Sequence, residues 1–186
     1  MDRAALVLAS RSPQRRAILE QLGVPFTVAT PEVEERVEGS PQDLVTANAL
    51  LKARAVGGDL VLGADTVVVL DERILGKPRD ETQARGFLEA LSGREHEVWS
   101  GLAVRDGGAE RQAAAVTRVR FRKLAESDLA WYLAGGEWRR CAGGYAIQAR
   151  GAALVEEVHG DFWNVVGLPV RELMRLCPGL VSGARG

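Results

Sequence analysis

The longest hydrophobic stretch of the chain, LVLGADTVVVL from Leu60 to Leu70, predicts a buried β-strand. Aliphatic residues occupy both alternating faces, which is typical of a central strand covered on both sides. Asp65 interrupts this run, and an ionised carboxylate there costs several kcal/mol unless a metal, a cation or N–H donors compensate it. Lys77 follows after a short turn and could return near the acid. The pattern leaves two interpretations open, a functional acid with its cation, or a turn cap with a solvated lysine.

The N-terminal pattern is a short apolar strand, Ala5 to Ala9, that runs directly into a helix start at Ser12-Pro13. Serine at the N-cap and proline at the first helical position are both favoured there. The unpaired N–H groups and the dipole of a helix start favour an anion. Arg15 and Arg16 add positive charge, although arginines in a first helical turn are more often only solvated. The glycines and the Lys-Ser/Thr pair of a Walker A loop are absent.

A second helix is predicted from Pro41 to Val56, after a strand from Phe26 to Ala29 and an acidic run at residues 32–35. The apolar residues predicted to form its buried stripe are Leu44, Ala47, Leu51 and Ala55. Lys52 lies off this stripe. Its spacing favours a surface position, although it could reach a site at the helix flank.

The remaining pattern adds helices, a hairpin and a glycine-containing loop. It predicts helices from Asp80 to Leu91, Ser127 to Ala134 and Pro169 to Cys177, strands from Val98 to Val104 and Ala113 to Arg122, and an extended segment from Ala152 to Val158. Gln148 ends the loop and could offer a donor and an acceptor to a base edge, though such loops also occur without ligands. Helices alternating with strands and followed by a hairpin predict an α/β fold with a mixed sheet. Residues 1–177 are expected to form one domain and residues 178–186 a disordered tail.

Composition narrows the functional classes. The chain has 186 residues, a net charge of −1 and two cysteines, Cys141 and Cys177. Near-neutral charge disfavours a general nucleic-acid binder, and the cysteine spacing fits neither a metal site nor a disulfide framework. No apolar run has the length of a signal peptide or a membrane span. We therefore expect a soluble cytoplasmic protein without a membrane or nucleic-acid partner.

Seven segments of the chain, taken together, resemble signature blocks of the Maf family of nucleoside triphosphate pyrophosphatases. In order, they are LASRSPQRRAILEQLG, PEVEE, LGADTVVVL, ILGKPRD, LSGREHEV, CAGGYAIQARGA and NVVGLPV. The resemblance implies a two-lobed α/β fold, similar to inosine triphosphatase, around a curved mixed sheet with a central cleft. It also implies a homodimer that hydrolyses the bond between the α- and β-phosphates with a divalent metal such as Mg²⁺ or Mn²⁺.

The resemblance also implies roles for individual residues. It makes Asp65 the catalytic carboxylate, as base or metal ligand, with Glu35 as its acidic partner at the metal. Lys52 and Lys77 would neutralise charge as the α-phosphorus is attacked. The residues expected to hold the phosphates are Ser10, Arg15 and Arg16.

Three positions bear on which nucleotide is used. Thr66 and Gln148 resemble the residues of family members that act on dTTP and UTP. Gln14 departs from that pattern, because those members have an arginine at the position that Gln14 occupies in the segment SPQRR. The resemblance therefore implies dTTP and UTP as substrates, while other or modified nucleotides stay open.

Two other functions compete with the enzyme. A nucleotide-binding regulator of septum formation, with little turnover, also fits the family resemblance. The acids Glu35 and Asp65 favour the enzyme, since a binding module needs no paired acids for affinity. An RNA-binding protein would fit the arginines between Arg118 and Arg122 but not the overall charge.

Overall fold

The computed structural model of the protein describes residues 5–181, which form an α/β structure. The strands are β1 (Leu6–Ala9), β2 (Phe26–Ala29), β3 (Leu60–Leu70), β4 (Arg73–Leu75), β5 (Glu95–Asp106), β6 (Ala109–Phe121) and β7 (Val155–His159). The α-helices are α1 (Pro13–Gln21), α2 (Pro41–Arg54), α3 (Glu81–Leu91), α4 (Glu126–Ala134), α5 (Phe162–Val166) and α6 (Val170–Leu176). Short 3-10 segments cover Glu137–Arg140, Ala142–Gly144 and Arg150–Leu154.

One sheet contains the seven strands of the described residues. Its order is β2-β1-β3-β5-β6-β7, and β4 pairs with β3. Strand β1 lies parallel to β2 and to β3, with Leu6 opposite Phe26 and Leu60. Strand β4 is antiparallel to β3, and β7 is antiparallel to β6. The sheet is therefore mixed, which confirms the predicted α/β class.

The chain divides into two compact units. Among the described residues, the first unit contains residues 5–65, 100–115 and 167–181, and the second contains residues 66–99 and 116–166. Asp65 belongs to the first unit and ends the segment of residues 5–65. In the expected tail, residues 178–181 form a turn in which Leu180 is buried. Residues 182–186 lie outside the described part of the chain, so the tail stays a prediction.

In the first unit, α2 packs directly on the sheet because two glycines let the backbones meet. A Cβ atom on Gly63 in β3 would lie 2.1 Å from the carbonyl oxygen of Ala49. One on Gly101 in β5 would lie 2.2 Å from the carbonyl oxygen of Val45. These distances are far below van der Waals contact, so a side chain at either strand position would push the helix away.

The buried face of α2 differs from the predicted stripe. Ala55 is exposed, and the residues that are buried are Leu44, Val45, Asn48, Ala49, Lys52 and Ala53. The helix is apolar around most of its circumference, so hydrophobic periodicity does not fix its orientation. The close approach of α2 to β3 at Gly63 fixes this orientation, and it turns Lys52 towards β3. The prediction that Lys52 lies at the surface is therefore wrong.

The second unit has a core of aliphatic and aromatic residues from α3, α4 and the strands. Its largest buried members include Leu88, Leu91, Phe121, Tyr132 and Leu154. His96 lies in this core, with its Nε2 atom 2.8 Å from the hydroxyl of Tyr145. Burial lowers the pKa of His96 to about 4, so the ring is neutral at physiological pH.

Two local elements differ from the sequence prediction. Residues 152–154 belong to a 3-10 segment, and the extended segment starts only at Val155. The short helix α5 was not predicted. It is held by Asn164, whose side-chain amide donates to the Val98 carbonyl at 2.9 Å and to Thr117 Oγ1 at 3.0 Å. These bonds join segments distant in sequence, which local periodicity does not report.

The arginines of the predicted basic face, which lie at the end of β6 and just after it, are paired with acids. Arg118 lies 3.9 Å from Glu97, Arg120 lies 3.5 Å from Glu95 and 3.7 Å from Glu157, and Arg122 lies 2.9 Å from Asp128. A surface compensated in this way has little net attraction for a polyanion, which weakens the RNA-binding alternative. Among residues 5–181, no helix combines the length and apolar character needed to cross a bilayer.

Candidate active site

The centre of the candidate site is the buried side chain of Asp65. Asp65 is only 7% exposed, so the charge of its carboxylate requires compensation within the protein. Lys52 Nζ donates to Oδ1 at 2.6 Å, and Asn48 Nδ2 donates to Oδ2 at 3.1 Å. Both carboxylate oxygens therefore have a donor, one of them a cation. Asp65 lies within a strand and does not cap a turn, and its role in a reaction stays a prediction.

The local fold explains why these donors meet the acid. Asn48 and Lys52 are four residues apart on α2, so they lie on one face of the helix. Gly63 and Asp65 are two residues apart on β3, so they lie on one face of the strand. Because Gly63 brings the helix backbone onto that face, the two donors are placed beside Asp65.

Glu35 joins the same cluster through Lys52. Its Oε1 atom lies 2.9 Å from Lys52 Nζ, so the buried ammonium contacts two carboxylates. The Glu35 side chain is 50% exposed, whereas those of Lys52 and Asp65 are each 9% exposed. One acid therefore lies inside the protein and the other faces solvent.

A second cluster surrounds the start of α1. Ser12 caps the helix by accepting from the Arg15 backbone N–H at 3.4 Å. Arg15 is buried, and its guanidinium donates to Ser10 Oγ at 3.1 Å and to the Gly167 carbonyl at 2.8 Å. Burial lowers the pKa of Arg15, while the negative charges of Asp65 and Glu35 act in the opposite direction. Ser10 and Arg15 are thus brought together at a helix N-terminus.

The other two candidates on α1 lie in different surroundings. Arg16 is exposed and pairs with Glu20 one turn later, at 2.8 Å. Gln14 is half-buried, and its Oε1 atom accepts from the Ser12 hydroxyl at 2.9 Å. Of the two arginines predicted to bind phosphate, only Arg15 lies with Ser10.

Three candidate residues belong to the second unit. Thr66 is half-buried, and Lys77 and Gln148 are exposed. The carbonyl of Gly76, next to Lys77, accepts from the Gly143 N–H at 3.0 Å. Burial raises the pKa of Cys141 to about 11, and the charge of Lys77 opposes that shift. Lys77 therefore lies near the loop that begins at Cys141.

Sequence reasoning missed Asn48. An asparagine in a helix that is apolar on most sides resembles a surface residue, and it is 2% exposed here. Its spacing of four residues from Lys52 was the available signal.

No group of three or more His, Cys, Asp or Glu side chains placed to hold a metal occurs among residues 5–181. Mg²⁺ is commonly bound by one or two carboxylates together with substrate phosphates. Asp65 and Glu35 converge on one ammonium and are hard oxygen donors. They fit an ion that completes its coordination with a nucleotide.

Comparisons with known proteins agree with the motifs. Residues 5–179 match the family described as Maf-like protein. A dTTP/UTP pyrophosphatase of Symbiobacterium thermophilum is 47% identical over 92% of this chain and 91% of its own length. Proteins of the same name from Anaeromyxobacter dehalogenans (strain 2CP-1) and Thermus thermophilus are 49% and 48% identical, each over 92% of this chain and over 91% and 92% of their own lengths.

A solved structure, that of the Staphylococcus aureus Ham1 protein, matches 63% of this chain and 71% of its own. Its TM-score is 0.46 and its sequence identity is 13%. That similarity is too low to establish a shared fold.

Proposed function

Because the chain belongs to the family of Maf-like proteins, we propose that it hydrolyses dTTP and UTP to the nucleoside monophosphate and pyrophosphate. The observation that carries this proposal is the buried Asp65 compensated by Lys52, with Glu35 on the same ammonium. A nucleotide-binding protein needs no such buried acid. A hydrolase needs a group that can act on water or hold an ion beside the phosphates.

Asp65 is the proposed reacting acid. In the reaction, a water oxygen bonds to the α-phosphorus, the bond to the oxygen of the β-phosphate breaks, and pyrophosphate leaves. The proton of the water goes to a carboxylate, and Asp65 is buried, oriented by two donors and supplied with acceptor oxygens. Lys52 would offset the negative charge that develops on the phosphate oxygens.

A divalent ion, Mg²⁺ or Mn²⁺, is part of the proposal. Asp65 and Glu35 are the residues that would hold it, and it would neutralise charge on the phosphates when bound. Lys52 contacts both acids in the protein. It therefore offsets part of their negative charge before nucleotide and ion arrive.

Ser10 and Arg15 are proposed to hold the phosphates. Arg15 is anchored through Nε to the Gly167 carbonyl, so its guanidinium is pre-positioned and little side-chain entropy is lost on binding. The N-terminus of α1 adds a favourable dipole. Arg16, paired with Glu20 in solvent, would contribute through its longer-range charge.

The remaining assignments follow from the family. Lys77 is proposed as a further cation for the reaction, and Gln14, Thr66 and Gln148 as residues that select the nucleotide. A homodimer in the cytoplasm is also proposed.

Pyrophosphate release from a panel of nucleoside triphosphates tests this function. We expect release from dTTP and UTP with Mg²⁺ and little release after chelation with EDTA. The panel should include CTP and a methylated nucleotide, which measure how broad the range is. Absence of pyrophosphate release from every triphosphate in the presence of Mg²⁺ or Mn²⁺ would exclude the proposal.

A further inference from the structure

The side-chain amide of Asn48 makes three hydrogen bonds, one to the Asp65 carboxylate and two to the backbone of Arg36. Its Nδ2 atom donates to Asp65 Oδ2 at 3.1 Å and to the backbone carbonyl of Arg36 at 3.0 Å, and its Oδ1 atom accepts from the Arg36 N–H at 2.8 Å. An amide has two N–H groups to donate, so both are used. The residue is 2% exposed, and its partners replace the hydration that it loses.

The segment held by these bonds carries Glu35. Residues 30–40, all of them described, contain neither helix nor strand, so no ladder of backbone hydrogen bonds fixes them. Asn48 binds both the N–H and the carbonyl of Arg36, as a residue of a neighbouring strand would. The preceding residue, Glu35, then reaches Lys52 at 2.9 Å.

We propose that Asn48 is a positioning residue that holds the Glu35 segment and the Asp65 carboxylate in a fixed relation around Lys52. The proposal rests on the proposed function, since it assigns Asn48 a part in the same site. A buried asparagine could satisfy its amide on its own helix. Asn48 instead joins an irregular segment to the buried acid, and Glu35 and Asp65 are the residues that would meet the ion.

Trypsin cleavage after Arg36 tests the positioning without using activity. In Asn48→Ala, the backbone of Arg36 loses both side-chain bonds, and we expect cleavage at this bond to accelerate about tenfold or more while other sites keep their rates. Thr46→Ala is the matched control, because the bonds of Thr46 Oγ1 within residues 5–181 go to the Gln42 and Asp43 carbonyls of the same helix. Unchanged cleavage after Arg36 in folded Asn48→Ala would overturn the proposal.

A double-mutant cycle with Glu35 tests whether the position matters for the reaction. We expect Asn48→Ala to lower kcat for dTTP at saturating Mg²⁺, and to lower it much less in a Glu35→Ala background. Fully additive losses would mean that Asn48 does not act through Glu35. If the unaltered protein hydrolyses no triphosphate, the proposed function fails, and the cleavage measurement still decides the positioning.

Amide hydrogen exchange in the unaltered protein covers the case in which Asn48→Ala does not fold. The Arg36 N–H should exchange about tenfold or more slowly than the N–H groups of Glu34 and Val37, which lie in the same irregular segment. Exchange of Arg36 as fast as these neighbours would overturn the proposal.

Discussion

The chemistry of Asp65 depends on what compensates its charge more than on its burial alone. The donors are unequal, since Lys52 brings a full positive charge at 2.6 Å and Asn48 a neutral amide at 3.1 Å. Removing one partner of a buried ion pair leaves the other uncompensated, which is more destabilising than the pair is stabilising. Lys52 retains Glu35 as a second partner, so a change at Asp65 leaves the lysine with a counter-charge.

Asp65→Asn should therefore fold but lose turnover. The amide is nearly isosteric, yet it cannot take a proton and binds metals weakly, so we expect kcat to fall by about 10²-fold or more. Its N–H₂ group would face the Asn48 amide, so the free energy of unfolding should also fall by about 1–3 kcal/mol. Circular dichroism and pyrophosphate release measure the two effects.

Asp59→Asn is the control for this substitution, because Asp59 is exposed. It should leave kcat unchanged. Turnover close to that of the unaltered enzyme in folded Asp65→Asn would remove Asp65 from the mechanism.

A substitution at Gln14 tests whether this position selects the base of the nucleotide. If an arginine there favours uracil and thymine nucleotides, Gln14→Arg should raise kcat/KM for dTTP and UTP relative to CTP. A well-placed charge-assisted hydrogen bond contributes about 1.5–3 kcal/mol, so the ratio should shift about tenfold or more. The cap of α1 should survive, because Ser12 still accepts from the Arg15 N–H.

A different result would change the role of Gln14. An equal gain for every triphosphate would show that the position responds to the charge of the phosphates. The assignment of Gln14 to nucleotide selection would then be abandoned.

The residues of the site differ in how visible they are in the sequence. Asp65 is recognisable because a charge within an aliphatic run is rare and expensive. Lys52 and Asn48 are not, because each is a polar residue on a helix and only the orientation of α2 decides whether it is buried. That orientation is set by Gly63, a contact between segments that helix periodicity does not encode.

At the scale of elements, the pairing of α2 with β3 builds the site. Strand β1 pairs with the first part of β3, with Ala9 opposite Gly63, and β3 continues to Leu70. Ser10 directly follows β1, and Asp65 lies within β3 two residues after Gly63, so the two residues lie at a similar level along adjacent strands. This pairing explains how the start of α1 and the buried acid, far apart in sequence, come to lie near each other.

Gly63→Ala should disrupt this pairing. The added Cβ would lie 2.1 Å from the Ala49 carbonyl oxygen, which belongs to the backbone and cannot rotate away. We expect the free energy of unfolding to fall by about 1–3 kcal/mol, as for other overpacked cores, and kcat to fall because Lys52 and Asn48 move with α2. Denaturant unfolding and steady-state kinetics measure both.

Gly86→Ala is the matched control. Gly86 lies inside α3, and a Cβ there meets nothing within 4 Å. Alanine is the better helix former, so this variant should gain up to about 1 kcal/mol and keep its activity. A Gly63→Ala protein as stable and active as the unaltered one would show that the helix can shift without consequence.

Element prediction succeeded where the signal is local. The strand at Leu60–Leu70 and the hairpin turn between β5 and β6 follow from an aliphatic run and from Asp106-Gly107-Gly108, where both glycines have positive φ. Helix α5 has only five residues and is held by Asn164. Its stability comes from a partner 66 residues away, so no window of sequence around it carries the signal.

At the scale of the whole molecule, charge is balanced locally as well as in total. The net charge is −1, and Arg118, Arg120 and Arg122 each lie beside a carboxylate. Such exposed pairs contribute little stability each. Their effect is to limit the positive potential of that surface. Arg15 differs from these arginines because it is buried beside Ser10.

The stability of the whole protein should depend on pH through His96. Burial lowers its pKa from 6.5 to about 4 in the folded state. Between these values the unfolded chain binds a proton that the folded protein does not, so stability is complete above about pH 6.5 and declines as the pH falls towards 4. From the size of the shift, the loss due to this residue is at most about 3 kcal/mol.

Urea unfolding at pH 7.5 and pH 4.5 measures this dependence, and the two histidines of the chain provide a matched pair. His96→Gln removes the buried titrating ring, so its free energy of unfolding should change less between the two pH values than that of the unaltered protein. His159→Gln should keep the original change, because His159 is exposed. Carboxylates that are paired in the folded state act in the same direction at low pH, and apart from Glu157, which contacts His159, their partners are the same in all three proteins. Equal pH dependence in His96→Gln and His159→Gln would mean that His96 takes up its proton as readily in the folded core as in the unfolded chain.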